Sequence, residues 1–381
     1  MDTDTGQGSD PDLCNGPHPN QQVVATLTRP INPAKRFRAM KAVVFHQHGG
    51  PEVLQYEDVP DPRPGCGEVL VRIKAVALNR LDLWVRNGLP KLRLAWPHIL
   101  GSDIAGVVEA VGDGVTGVEV GKAVLLQPAL SCGRCRMCLD GRDNLCRQYA
   151  ILGENTRGGY AERIAVPATS LLPYPEGLDF EHAACLPLAF LTAWQMVVRR
   201  AEVRPGEWVL VHAAGSGVGS AAIQIAKLHG ATVVTTVGSA DKVEKARVLG
   251  ADHVILYRER DFAEEVRTLT AKRGVDVVIE HIGPATFAGS LRSLAWGGRL
   301  VLCGSSSGPT AEVSLVDVFF RQLRIIGSTM GSKADLFAVL DHVRAGRLRP
   351  VLDSVLPLSR AREAHERLEA RGQFGKIVLV P

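Results

Sequence analysis

The spacing of apolar residues changes near residue 205 of this chain. Before that point GEVLVRIKAVAL (67–78), IAGVVEAVG (104–112) and AERIAVP (161–167) alternate apolar and polar positions between Gly and Pro turns. That is the pattern of strands with one buried face. It predicts a compact, partly open antiparallel β-barrel over about residues 65–170. Beyond it, EWVLVHAA (207–214), ATVVTTVG (231–238), HVILY (253–257), VDVVIEHIG (275–283) and GRLVLCG (298–304) are nearly continuous apolar runs. Between the earlier ones lie the helical stretches GVGSAAIQIAKLHG, DKVEKARVLG and DFAEEVRTLTAKRG. Strands apolar on both sides belong in a parallel sheet covered by helices on each face.

The expected fold class is therefore α/β, with a β-barrel domain followed by a doubly wound domain. The final strand, FGKIVLVP (374–381), is far in sequence from suitable partners and is expected to return to the first domain. The boundaries read as a disordered tail at 1–39, a catalytic domain at 40–188, a nucleotide-binding domain at 189–330 and a return segment at 331–381. The tail is polar and non-periodic, too poor in apolar residues to bury itself.

Two domains are natural for 381 residues. The net charge of +4 is scattered, which points away from nucleic acid and from a membrane surface as partners. No apolar run approaches a bilayer span, and the N-terminus lacks the apolar core of a secretory signal. The expected location is the cytoplasm, where clustered cysteines bind metal more readily than they form disulfides.

HAAGSGVGS (212–220) closes a strand and opens a helix. In that context a Gly-rich turn reads as a dinucleotide site. Ala214, Gly215, Ser216, Gly217, Val218 and Gly219 let the backbone approach a pyrophosphate, and the helix N-terminus faces it with free N–H groups. The next strand ends TTVGSADK, with Val237 and Gly238 where an NAD site usually carries an acid. Ser239 and Lys242 are placed to receive a 2′-phosphate, so NADPH is the expected cofactor. Asp241 weighs slightly against it, and Lys242 also reads as a solvated helix charge.

Cys132, Cys135, Cys138 and Cys146 form C-x2-C-x2-C-x7-C, a spacing that lets four thiolates surround one Zn²⁺. Four protein ligands leave no open position, so such an ion is structural. An iron–sulfur cluster and two disulfides are the alternatives. Cys14, Cys66, Cys185 and Cys303 are dispersed spectators.

Over about residues 40–381 the chain resembles the medium-chain dehydrogenase/reductase superfamily. The resemblance is carried by GEVLVRIKAVALNRLDLWVRNG, ILGSDIAGVVEAVG, the four-cysteine lobe, GGYAERIAVP, LPLAFLTAW, HAAGSGVGSAAIQIAK and FGKIVLVP. It implies a GroES-like barrel domain, a Rossmann coenzyme domain, an active site between them, and a homodimer or homotetramer. Zinc alcohol dehydrogenases of this superfamily hold a second, catalytic zinc through a Cys, the His of Gly-His-Glu and a further Cys or acid. Here those places read Asn79, Gly101-Ser102-Asp103, and a stretch from Leu186 to Trp194 with no Cys, His or acid. The chain is thus similar to the zinc-free quinone oxidoreductase/enoyl reductase branch, whose members also carry Asn and Lys at the places of Asn79 and Lys242. It departs from that branch in keeping the structural zinc lobe.

The expected reaction is hydride transfer from NADPH to the β-carbon of a small activated alkene: an enone, enal, quinone or enoyl thioester. Asn79 is the candidate donor to the substrate oxygen or the nicotinamide ribose, or else a capping amide. Trp84 is a candidate pocket wall, or core packing. The resemblance places Tyr257 beside the cofactor; otherwise it is an ordinary strand aromatic. Arg80 and Asp82 either pair or face solvent, and no residue stands out as the proton donor. The rival readings are an alcohol dehydrogenase improvising a zinc site from His98, Asp82 and Asp103, and a non-catalytic NADPH-binding protein.

Overall fold

The computed structural model describes residues 39–381. The tail assigned to 1–39 lies outside them except for its last residue, as does Cys14.

In the first domain, β1 (Ala39–Phe45) pairs with β2 (Gln55–Pro60) and β4 (His98–Ile99). The larger sheet is built on β3 (Glu68–Ala77), β5 (Asp103–Val111), β6 (Ala123–Leu126), β9 (Arg163–Pro167) and β10 (Leu171–Pro173). A small hairpin of β7 (Ala129–Leu130) and β8 (Ala150–Ile151) brackets the cysteine lobe. Register shifts against β5 at Leu70/Val71 and Ile73/Ala75 bend β3. Its first half then pairs with β9 and its last two residues with the chain's final strand.

The second domain is an all-parallel sheet of β11 (Trp208–Val211), β12 (Thr232–Val237), β13 (His253–Leu256), β14 (Val275–Glu280), β15 (Leu294–Leu302) and β16 (Arg324–Gly327). The spatial order is β13-β12-β11-β14-β15-β16. Strand order reverses between β11 and β14, and a ligand crevice forms at the carboxyl ends of the strands beside such a reversal. The HVILY strand stops at Leu256, so Tyr257 follows it rather than ending it. In DKVEKARVLG only Val243–Val248 is α-helical, preceded by a tighter turn at Ala240–Lys242.

The return segment divides. The helix Lys333–Arg344 packs through Leu336, Val339 and Leu340 into the same core as Phe190 and Leu191 of the helix Pro187–Trp194. After it, β17 (Leu352–Pro357) and β18 (Lys376–Val380) enter the first-domain sheet. That core runs unbroken from Ala77, Ala105 and Val378 of the first domain to Val209 and Ile279 of the second. Continuous burial of this kind holds two domains in one relative position, and fixes the cleft between them. Among the described residues no helix is long and apolar enough to cross a membrane.

Candidate active site

The cleft between the domains has a volume of about 1050 Å³ and is lined from both sides. Gly215, Ser216, Gly217, Val218, Ser239, Lys242 and Tyr257 line it, as do Asn79 and Trp84. Ala214 is fully buried behind the turn.

The dinucleotide turn is tightly built. Ser216 caps the helix Gly217–Leu228, its hydroxyl accepting the Gly219 N–H at 2.9 Å. A Cβ on Gly219 would lie 2.2 Å from the Ala213 carbonyl oxygen, which no larger residue tolerates. A Cβ on Gly217 would stand 2.9 Å from Lys376 Cδ and 3.2 Å from Ala189 Cβ. The turn therefore presents bare backbone to the cleft, as a pyrophosphate requires. Beneath it His212 Nε2 meets Ser290 Oγ at 2.9 Å, and Ser290 donates to Glu280 at 2.7 Å. Burial holds the His212 imidazole well below its usual range, at about 4.

At the far end Tyr257 lies against Gly238, where a Cβ would be 3.0 Å from the phenol oxygen. The Ser239 side chain hydrogen-bonds the exposed Asp241 carboxylate and holds it below the usual carboxylate range. Lys242 behaves unlike a free helix charge. Its ammonium donates to the carbonyls of Arg371 at 3.1 Å and Gln373 at 3.0 Å, tying the coenzyme domain to the first. Arg258 also lines this end of the cleft.

The opposite end carries an arrangement the sequence did not announce. Lys376 opens β18 and is buried, with Nζ 2.8 Å from Asp103 Oδ2 and 2.5 Å from Asn79 Oδ1. Asn79 Nδ2 donates to the same Asp103 oxygen at 2.9 Å, and Asp103 Oδ1 accepts the Leu188 N–H at 2.7 Å. Three donors thus engage the buried carboxylate, as burial of a charge demands. The amide of Asn79 is thereby committed inside the protein, its second N–H pointing to the Ala77 carbonyl at 3.4 Å. Ser102 is buried, and its hydroxyl lacks a hydrogen-bond partner.

Asp82 neither pairs with Arg80 nor faces solvent. It is buried, accepting the Asn79 N–H at 2.7 Å, the Gly101 N–H at 3.1 Å and the Tyr160 hydroxyl at 3.2 Å. Burial pushes its carboxyl up to about 6. Tyr160 in turn receives from His365 Nε2 at 3.1 Å, and His365 Nδ1 accepts from Arg86 at 2.9 Å. Burial first, then the Arg86 charge, depresses His365 to about 3, so the imidazole is neutral and relays one donor direction through the chain. This buried line fixes the start of the helix Arg80–Asn87, and with it Asn79 and Trp84. Arg80 lines the cleft, where burial lowers its pKa. Trp84 reaches across it, Cη2 lying 3.2 Å from where a Cβ on Gly304 would sit. Glu154 also lines the cleft, and desolvation raises its carboxyl.

His98, Asp82 and Asp103 do not assemble a site. His98 Nε2 is turned to the Gly153 carbonyl at 3.2 Å, and the two acids are spent as above. Among the described residues one group of three or more His, Cys, Asp or Glu side chains is close enough to hold an ion: Cys132, Cys135, Cys138 and Cys146, with all sulfurs within 4.8 Å of one another. The pairs Cys132–Cys138, Cys135–Cys138 and Cys135–Cys146 are 3.9, 3.6 and 3.8 Å apart. A tetrahedral zinc with ordinary Zn–S bonds needs edges of about 3.8 Å, so these thiols fit that ion. N–H groups of Cys135 and Gln148 point at Cys132 and Cys146 sulfurs, both at 3.3 Å, as suits thiolates.

Lys376 is the residue least visible in sequence, its signal a single charge at the head of the otherwise apolar strand KIVLV.

Comparison with known proteins agrees with this architecture. The family descriptions "Alcohol dehydrogenase GroES-like domain" and "Zinc-binding dehydrogenase" match residues 65–176 and 217–345. The quinone oxidoreductase of Rattus norvegicus is 31% identical over 351 residues, covering 90% of this chain and 98% of that one. Acryloyl-coenzyme A reductase of Sulfurisphaera tokodaii is 32% identical over 345 residues, covering 90% and 100%. A solved structure described as an NAD-dependent alcohol dehydrogenase superposes with TM-score 0.86 at 53% identity, covering 90% and 100%. The chain belongs to the medium-chain dehydrogenase/reductase superfamily, in its quinone oxidoreductase/enoyl reductase branch, and is an oxidoreductase.

Proposed function

We propose that this protein is an NADPH-dependent reductase of activated alkenes that works without a catalytic metal. One observation carries the reading: the buried Asn79–Asp103–Lys376 cluster stands where zinc alcohol dehydrogenases of the family gather metal ligands. A Lewis-acid zinc needs three ligands and an open position. Here those places hold the Asn79 amide, the Ser102 hydroxyl and an apolar helix, and the neighbouring Asp103 carboxylate is neutralised by an ammonium. Hydride transfer to an isolated carbonyl is hard without such an ion. A conjugated alkene is easier, because charge appears on a remote oxygen that hydrogen bonds stabilise.

Bound NADPH supplies the hydride from C4 of its nicotinamide ring. The chain's residues bind and orient. The turn at 214–219 receives the pyrophosphate, and Tyr257 borders the adenosine end. Trp84 walls the reacting end, shielding it from water. Asn79 holds the base of the cleft through its bonds to Asp103 and Lys376. The cysteine lobe holds one structural zinc. Self-association is supported by an open sheet edge at β16 beside exposed Trp296, Leu315, Phe319 and Phe320. We place the enzyme in the cytoplasm.

For the 2′-phosphate, Ser239, Lys242 and Arg258 are the candidates. NADH is the second reading, favoured by the commitment of Lys242 to two carbonyls and of Ser239 to Asp241.

The test follows NADPH and NADH absorbance against enones, quinones, enoyl thioesters and saturated aldehydes, with zinc counted per chain. Alkene reduction with one zinc is expected. Two zinc ions with aldehyde turnover would instead establish the alcohol dehydrogenase reading, and no oxidation by any acceptor the binding-protein reading.

A further inference from the structure

We infer that Glu154 is the catalytic acid of this reaction: its carboxyl group gives the substrate's α-carbon its proton once hydride has reached the β-carbon. The role rests on the alkene-reductase reading, which by itself names no proton donor.

Glu154 stands on a rigid turn that follows β8. The Glu154 and Asn155 N–H groups both donate to the Ile151 carbonyl at 3.1 Å. Asn155 Oδ1 accepts the Ile151 N–H in return at 2.9 Å. The turn is pressed against the base of the cleft: a Cβ on Gly153 would lie 2.6 Å from the backbone nitrogen of Gly101, the residue before Ser102. Ile151 and Glu154 both line the cleft. Glu154 is half-buried, yet among the described residues its carboxyl makes no hydrogen bond or ion pair. Asp82 and Asp103 differ, each being engaged by three donors of the protein. Their carboxylates are spent on the fold, and that of Glu154 is left for a molecule in the cleft.

The other groups lining the cleft are poorer acids or lie elsewhere. Asp241 and Asp261 follow β12 and β13 at the adenosine end, and Asp261 caps a helix. His281 Nε2 is turned to the His212 carbonyl at 2.9 Å. Burial pushes the Cys303 thiol up to about 12. Among the described residues Glu154 is thus the one acid that the first domain presents to the cleft. Burial raises its pKa, which keeps the proton on closer to neutral pH, as a general acid needs. Its titratable neighbour is Tyr149, whose phenol is pushed up by burial first and then by Asp143 and Glu154, and so stays uncharged.

Hydride leaves a nicotinamide held by the coenzyme domain and forms the new C–H bond at the β-carbon. The C=C π pair shifts toward the carbonyl, giving an enolate. Its α-carbon takes the Glu154 proton, and the carboxylate regains one from water on its exposed side. Hydride and proton come from opposite walls of the cleft, so the two hydrogens add anti.

The experiment reduces 2-methylcyclohex-2-enone with cofactor deuterated at the transferred position and reads the product's relative configuration by NMR. Hydride-transfer rates in a single turnover and cofactor dissociation constants are measured alongside. A second readout needs no hydride. With oxidised cofactor bound, the Glu154 carboxylate should remove the same α-proton from 2-methylcyclohexanone and exchange it with D2O. Wild type should give the anti product alone and show the exchange. Glu154→Gln should give mixed products and slow both turnover and exchange by about 100-fold, the ordinary contribution of a general acid. Its cofactor affinity and hydride-transfer rate should change by less than about 3-fold, since neither step uses the proton. Glu154→Ala should behave alike, and Glu154→Asp should restore part of the turnover. The assignment is overturned by mixed products or absent exchange in a wild type that reduces the enone. It is also overturned by variants that keep configuration and turnover, or by variants that lose cofactor affinity and hydride transfer together, which would make Glu154 structural. Exchange by a wild type that reduces no alkene would defeat the alkene-reductase reading alone.

Discussion

The cysteine lobe and the base of the cleft are two places where this family holds metal, and in this chain they have parted. In the lobe four sulfurs lie within 4.8 Å of one another and converge on one point. At the base of the cleft the polar groups converge on each other instead, Lys376 and Asn79 on Asp103. A closed thiolate site shapes a loop and leaves the reaction alone. A carboxylate already neutralised by a buried cation has less to offer a second ion. The more conspicuous site thus says least about chemistry.

The lobe is also a brace. Asn144 donates to the Thr329 carbonyl at 3.0 Å, and the Lys333 N–H reaches Asp143 at 3.1 Å. Thr329 and Met330 line the cleft. Breaking the lobe should therefore have the largest effect on stability. Cys135→Ser is expected to lower the zinc content from one per chain to none and the melting temperature by roughly 10 °C. Elemental analysis and calorimetry check this; an unchanged melting temperature would show that the lobe braces nothing.

Breaking the other region comes next. Asp103→Ala leaves the Lys376 ammonium buried without its counter-charge, which should cost about 3–5 kcal/mol in denaturant unfolding. A loss below about 1 kcal/mol would mean that the ammonium swings into solvent.

Acid probes the buried network that supports that base. His98 and His365 are held neutral by burial, at about 4 and about 3, against about 6.5 in an unfolded chain. Between pH 6.5 and 4 the unfolded chain binds protons that the native protein refuses, so stability falls as pH falls. Each histidine should remove about 2 kcal/mol at pH 5. Asp82, raised to about 6, acts in the opposite sense. The native state takes up its proton first, offsetting about 1 kcal/mol. With His212, held at about 4 in the same way, the unfolding free energies at pH 7 and pH 5 should differ by about 5 kcal/mol. His365→Gln should flatten the profile, and a flat wild-type profile would contradict the neutral imidazoles.

The smallest effect tests the cofactor end. Lys242→Ala should weaken NADPH binding about 10-fold and NADH binding by less than about 2-fold. Equal losses would assign Lys242 wholly to its two interdomain carbonyl contacts and support the NADH reading.

The local features were legible because they are local. Alternation marked β3, β5 and β9, continuous apolar runs marked β11 to β15, and the Gly-rich turn and cysteine spacing announced themselves within a few residues. The absence of metal ligands at Asn79, Ser102 and Ala189 could likewise be read by position. What fills that absence could not. Lys376 stands 273 residues from Asp103, and they meet because β3 takes β5 on one edge and β18 on the other. Asp82 reads as a surface helix residue until the fold buries it against Tyr160 and His365. Lys242 reads as a phosphate ligand or a solvated helix charge, and only the fold brings the Arg371 and Gln373 carbonyls to it as well. By itself the sequence determined the elements, the family and both candidate ligand sites, since these depend on periodicity and short spacings. Only the tertiary structure decided which charges are buried together, because desolvation and pairing depend on neighbours that chain order does not reveal.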